Sequence, residues 1–201
     1  AELGEQGVLV LCSDSTNVDR PGHTRSEIDV GRALAERFER AAGRIIVATF
    51  ASHIHRIQQV LTLAGAHGRR VALVGMSMQK NVTIASTLGY LRVPDGLIVP
   101  LEELAGLAPE RQVILSTGSQ GEPNSALALM AAGEHKSVQV ERGDLVIISA
   151  RVIPGNERTV GRVVNALLRL GAEVLWEDNA FVHVSGHASQ EDLKLMLSLT
   201  R

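Results

Sequence analysis

The chain is 201 residues long, 45% hydrophobic and 21% charged, which fits a globular protein and excludes a disordered or fibrous one. Its 20 Lys and Arg against 22 Asp and Glu leave a net charge of −2, so a general nucleic-acid-coating field is excluded and any such contact needs a local patch. Aromatic residues make up 2%, so the core must come from Val, Ile, Leu and Ala, and base stacking on Phe and Tyr has little raw material.

The opening, AELGEQG, lacks Met and lacks the basic and apolar regions of a secretion signal. No apolar run approaches the roughly 20 residues that span a bilayer. A piece of a longer protein is expected, in the reducing cytoplasm, because the single cysteine, Cys12, can form neither an internal disulfide nor, alone, a zinc site. A strand is expected over 8–12, with Cys12 as a small buried hydrophobe. A helix follows over 26–42 (SEIDVGRALAERFERAA), with apolar Ile28, Leu34, Ala35 and Phe38, acids in its first turn and Gly43 as its stop. Further strands are expected at 45–49, 71–74, 97–99, 113–116, 145–149, 174–176 and 181–184. Helices are expected at 53–66, 79–88, 124–132, 157–170 and 190–199. The stretch 89–108, broken by Pro94 and Pro100, is the least regular. Strand and helix alternate, which predicts a single α/β domain over 1–201 with a mostly parallel sheet flanked by helices on both faces.

In such a sheet ligands bind outside the carboxyl ends of the strands. Five expected strands exit into polar or Gly-rich clusters: Ser13 to Asn17, Phe50 to His53, Gly75 to Ser77, Thr117 to Glu122, and Ala150-Arg151. Turning a corner does not require such chemistry five times over.

Each cluster also has a plain structural reading. The loop Thr117-Gly118-Ser119-Gln120-Gly121-Glu122-Pro123 suits a phosphate, through close backbone approach and helix-start N–H groups, or it is a tight turn with Pro123 opening the helix. Asp14 in SDSTN is a base, a group beside a metal, or an Asx-turn acceptor. Ser52, His53 and Arg56 offer hydroxyl, imidazole and guanidinium at a helix start, suited to a nucleic-acid backbone. His53 and His55 are two apart and share no helix face, which speaks against a metal. His183, Ser185, Gly186 and His187 supply phosphate ligands or proton carriers, or Ser189 is simply a cap in capping-box spacing with Asp192. Arg151 could add a guanidinium, while Met76 and Met78 read as packing.

The strings LCSDSTN, TFASHIHRIQQ, STGSQGEP, IPGNE and HVSGHAS, in that order, resemble the β-CASP region of the ribonuclease J family, within the metallo-β-lactamase superfamily. The resemblance covers essentially the whole chain. It implies a β-CASP domain inserted in a metallo-β-lactamase domain, with the active site in the cleft between them. The implied activity is metal-dependent hydrolysis of single-stranded RNA, endonucleolytic and 5′-to-3′ exonucleolytic, preferring a 5′ monophosphate and serving RNA processing and mRNA decay. Asp14 then corresponds to the acidic residue beside the metal centre, and His187 to the histidine at the scissile phosphate that assists proton transfer; these are the catalytic candidates. Ser15, Asn17, His183, Ser185 and Gly186 would hold nucleotide phosphate, and Ser52, His53, Arg56, Thr117, Gly118, Ser119 and Gln120 would line the RNA channel.

The His-x-His-x-Asp-His zinc signature is not in the sequence, and the third β-CASP histidine is expected beyond Arg201. No metal ligand is therefore assigned to this chain. Zinc or manganese is expected only in the intact enzyme, with the isolated chain inactive. Residues 1–24 and 185–201 are expected to form the seam with the missing domain, in an enzyme that forms homo-oligomers and has no membrane contact. The alternative reading is a non-catalytic nucleotide- or RNA-binding α/β domain, which needs only the crevice and the phosphate loop.

Overall fold

A computed structural model describes residues 2–200; Ala1 and Arg201, the outer ends of the two seam segments, lie outside the described residues. Contacts separate two compact units. One is built from the two ends of the chain, to Asp29 and from Val184, and the other is central, from Val30 to His183.

The central unit carries five strands, β1 Ile45–Ala48, β2 Arg70–Val74, β3 Gln112–Ser116, β4 Leu145–Ile148 and β5 Glu173–Leu175. They form a wholly parallel sheet in the order β2-β3-β1-β4-β5, with Ile45 paired to both Val113 and Leu145. β1 and β4 are continuous apolar runs and β3 has an apolar centre, Val113 to Leu115, between Gln112 and Ser116; all three are buried throughout, because helices on both faces leave a parallel sheet no wet side. Ile46, Ala48, Ile114, Val146 and Ile148 face one layer. There they meet Leu104 of α5 (Leu101–Ala105), Leu127 and Met130 of α6 (Ala126–Ala132), and Val160 and Leu167 of α7 (Glu157–Arg169). The alternate residues Ile45, Val47, Val113 and Leu115 are equally buried on the opposite side. Buried stripes on that side come from α2 (Glu27–Arg40), α3 (Ile54–Ala66) and α4 (Met76–Thr87); α3 packs on β2, β3 and α4.

β1 passes through α3 to β2, and β4 passes through α7 to β5 on the other side. The carboxyl ends of β1 and β4 thus flank the point where strand order reverses, the usual ligand crevice of an open α/β sheet.

In the end unit the described helices are α1 (Glu2–Glu5) and α8 (Gln190–Leu199). The two chain ends are tied by a parallel bridge between Asn17 and Ser189, and Gln190 N donates to Arg20 O at 2.9 Å. The Asp192 carboxylate accepts from Thr24 N at 2.8 Å and Ser189 N at 3.2 Å.

Several expectations need correction. The stretch 8–12 is not a strand: Leu9 is 99% exposed and Cys12 is exposed, not a buried hydrophobe. A strand needs a partner for its backbone, and none of the described residues pairs with 8–12. Four polar clusters, not five, therefore follow sheet strands. The stretch 181–184 is also not a strand, and 97–99 contributes only a bridge between Ile98 and Val71. Within the irregular 89–108 stretch α5 forms, started by Pro100. Met78 is core as expected, whereas Met76 is 89% exposed. Pro123 does not open a helix; α6 starts at Ala126, capped by the Ser125 hydroxyl. Among the described residues no helix is long and apolar enough to cross a membrane.

Candidate functional site

In the end unit Asp14 and His187 come together: His187 Nδ1 hydrogen-bonds Asp14 Oδ2, with both side chains about half exposed. Asp14 sits in an Asx turn whose Oδ1 accepts from Thr16 N at 2.8 Å and Thr16 Oγ1 at 2.6 Å. The His187 bond first, and the Thr16 bonds second, hold the Asp14 carboxyl well below the usual carboxylate range. An ionised carboxylate can only accept, so Nδ1 of His187 carries the proton in this contact and Nε2 is the other nitrogen of a half-exposed ring. The pair can thus hold or move a proton at Nε2 with its tautomer fixed by Asp14.

The surrounding residues hold His187 in place. Asn17 is buried, and its Nδ2 donates to Ser185 Oγ at 2.9 Å and to His187 O at 3.1 Å. His187 N donates to Ser185 Oγ at 3.1 Å. Asn17 and Ser185 therefore act on the backbone that carries His187. Ser15 and Gly186 are exposed beside them, and a Cβ at Gly186 would meet nothing within 4 Å.

In the central unit the expected RNA residues separate into surface and interior. Ser52 is exposed, and His53 caps α3, its Nδ1 accepting from Arg56 N at 3.3 Å. Arg56 is fully buried and points inward, so it is not a direct phosphate contact. Its Nη1 bonds Ser149 Oγ and, at 2.6 Å, Val182 O; its Nε bonds Gln59 Oε1 at 3.0 Å. The His183 ring meets the His53 ring edge-on, with centroids 6.4 Å apart.

Gln120, 3% exposed, is likewise turned inward. Its Nε2 donates to Arg151 O at 2.8 Å, and its Oε1 accepts from Ile153 N at 2.9 Å and Asn156 Nδ2 at 3.3 Å, which fixes the loop before α7. Ser119 is buried and Thr117 half-buried. Gly118 and Gly121 have φ of +101° and +68°, and a Cβ on Gly121 would lie 2.7 Å from Thr159 C. Their glycines are needed by the turn and by close packing on α7.

Ser149, which receives Arg56, and Thr16, which holds Asp14, are not among the residues expected from the sequence to form the site. Thr16 carries an Asx-turn signal, two residues after Asp14; Ser149 carries none beyond ending a strand. Among the described residues no three His, Cys, Asp or Glu side chains gather closely enough to hold a metal ion.

The family model "Ribonuclease J, beta-CASP domain" matches residues 42–167, more than half of the chain. Curated relatives named Ribonuclease J align over the whole chain: that of Thermus thermophilus is 50% identical, that of Synechocystis 47% and that of Mycobacterium tuberculosis 44%. The chain spans only 35%, 31% and 36% of their respective lengths. With the parallel sheet and the Asp14–His187 pair in place, the chain belongs to the ribonuclease J β-CASP family.

Proposed function

We propose that this chain is the RNA-gripping part of a cytoplasmic ribonuclease J-like hydrolase, with Asp14 and His187 as its share of the catalytic centre. The observation that carries the reading is the contact between these two side chains, which lie 173 residues apart in sequence. An ionised carboxylate that fixes a half-exposed imidazole is the arrangement general acid–base chemistry on a phosphodiester needs. Ser15, Gly186 and His183 are proposed to meet RNA phosphates, with Ser52 and His53 along the channel and Thr117 to Gln120 shaping it. Single-stranded RNA with a 5′ monophosphate is the proposed substrate, cut both internally and from the 5′ end in RNA processing and decay.

Asp14 and His187 are two groups, whereas a zinc site takes about four ligands. The described residues do not by themselves fit a metal. Zinc or manganese would bind in the intact homo-oligomeric enzyme, with ligands from a metallo-β-lactamase domain outside this chain, and the chain alone would be inactive. The division of the chain at Asp29 and Val184, and the exposed apolar run Leu9 to Leu11, support seams at 1–24 and 185–201.

The test is made in the full-length gene product. Asp14→Ala and His187→Ala are expected to keep the thermal midpoint and to lower RNA cleavage by about 10²-fold or more, the range of acid–base catalysis. Cleavage at the wild-type rate would remove both from the catalytic centre. Nucleotide binding without any cleavage by the wild type would favour the binding-domain reading instead.

A further inference from the structure

We propose that Arg56 is a positioning residue: with Ser149 it grips the Val182 carbonyl and so holds His183 against His53 at the reversal point of the sheet. The inference rests on the reading above only in taking His183 as a phosphate ligand. Three elements converge on this guanidinium. Arg56 comes from the first turn of α3, Ser149 from the end of β4, and Val182 from the stretch beyond β5. Val182 O receives two donors, Arg56 Nη1 at 2.6 Å and Ser149 Oγ at 2.7 Å. Ser149 is held in turn, since Thr49 Oγ1 donates to its carbonyl at 3.1 Å.

The stretch 181–184 needs this grip because it has no sheet ladder of its own, so its backbone cannot be fixed by a neighbouring strand. The carbonyl of Val182 belongs to the peptide unit that leads into His183, and clamping it sets where the imidazole points. Taking a guanidinium out of water is costly unless its donors are matched, and an apolar side chain would fill the same space without that cost. A planar donor fork that reaches a hydroxyl, a carbonyl and the Gln59 amide oxygen together is something an ammonium group does not offer.

The test compares Ser149→Ala, Arg56→Lys and Arg56→Met in the full-length protein. Each is followed by thermal midpoint, by RNA kcat and KM, and by the rate at which diethyl pyrocarbonate modifies His183, read by mass spectrometry. Ser149→Ala is expected to fold, to modify faster at His183, and to lose up to about 10²-fold in kcat/KM, as misplacement near 1 Å does. Arg56→Lys should lie between wild type and Arg56→Met in modification rate. An unchanged modification rate in folded Ser149→Ala and Arg56→Lys overturns the inference, as does an activity loss that only tracks the unfolded fraction. A wild-type protein that does not cleave RNA sinks the functional reading, while the modification rates still decide the role of Arg56.

Discussion

Two centres in this chain use polar side chains in opposite ways. In the end unit the Asp14–His187 pair is half exposed and its supports, Asn17 and Ser185, hold backbone. In the central unit the guanidinium of Arg56 and the amide of Gln120 are buried, and their donors are spent inside the protein. The difference teaches that a polar residue near a ligand edge has two possible jobs, and that exposure separates them. Groups left half wet can exchange protons with a substrate, whereas groups sealed in low dielectric fix geometry and are costly to disturb.

That contrast can be broken first in the interior. Arg44 and Asp144 form a largely buried pair, with Nη2 to Oδ2 at 2.5 Å and Nε to Oδ1 at 3.1 Å, and Asp144 also accepts from Glu141 N at 2.9 Å. Asp144→Ala should destabilise the protein by about 3 kcal/mol, because a buried cation loses its partner. Denaturant melting checks this, and a loss below about 1 kcal/mol would mean that burial does not decide the cost at this site.

A smaller effect is expected from acid at the exposed end. Thr24 N, then His23, holds the Asp192 carboxyl below its ordinary range, and the bond from Ser189 N adds to this. A carboxyl held low when folded stabilises the fold fully above its ordinary value of 3.8, and that contribution is lost as pH falls below it. Amide exchange of Thr24 and Ser189 should therefore speed up relative to the central strands between pH 6 and pH 3. Equal protection at both pH values would show that the carboxylate is not what ties Thr24 to α8.

The smallest effect belongs to the catalytic candidate. Asp14→Asn, at an exposed site, should shift stability by no more than about 0.5 kcal/mol while it removes the anion beside His187. A large loss of stability would recast the pair as structural and erase the contrast between the two centres.

The sheet is legible in the sequence because the centres of β1, β3 and β4 are apolar on both faces and alternate with segments of helical period, the pattern of strands buried between two helix layers. The stretch 8–12 has the same composition and no strand, since pairing and not composition makes one. Asp14 and His187 are legible through their motifs, but not their contact, which depends on how the two ends of the chain are tied. The inward turn of Arg56 was readable: 56, 57, 60, 61 and 64 make one helical stripe, and the other four are Ile, Val, Leu and Ala. Gln120 offered no such signal, because a loop residue has no period to betray its direction.

The tie between the two ends also bears on the order in which the protein assembles. Thr24 and Ser189 hydrogen-bond across 165 residues, and closing so long a flexible loop costs roughly 4–5 kcal/mol of chain entropy by the logarithmic rule. A handful of polar bonds can meet that cost only after the intervening residues have collapsed into the sheet and shortened the effective loop. The hydroxyl, amide and imidazole contacts around Asp14 are thus expected to form after the central sheet, so in a refolding experiment their amides should gain protection later than those of β1, β3 and β4.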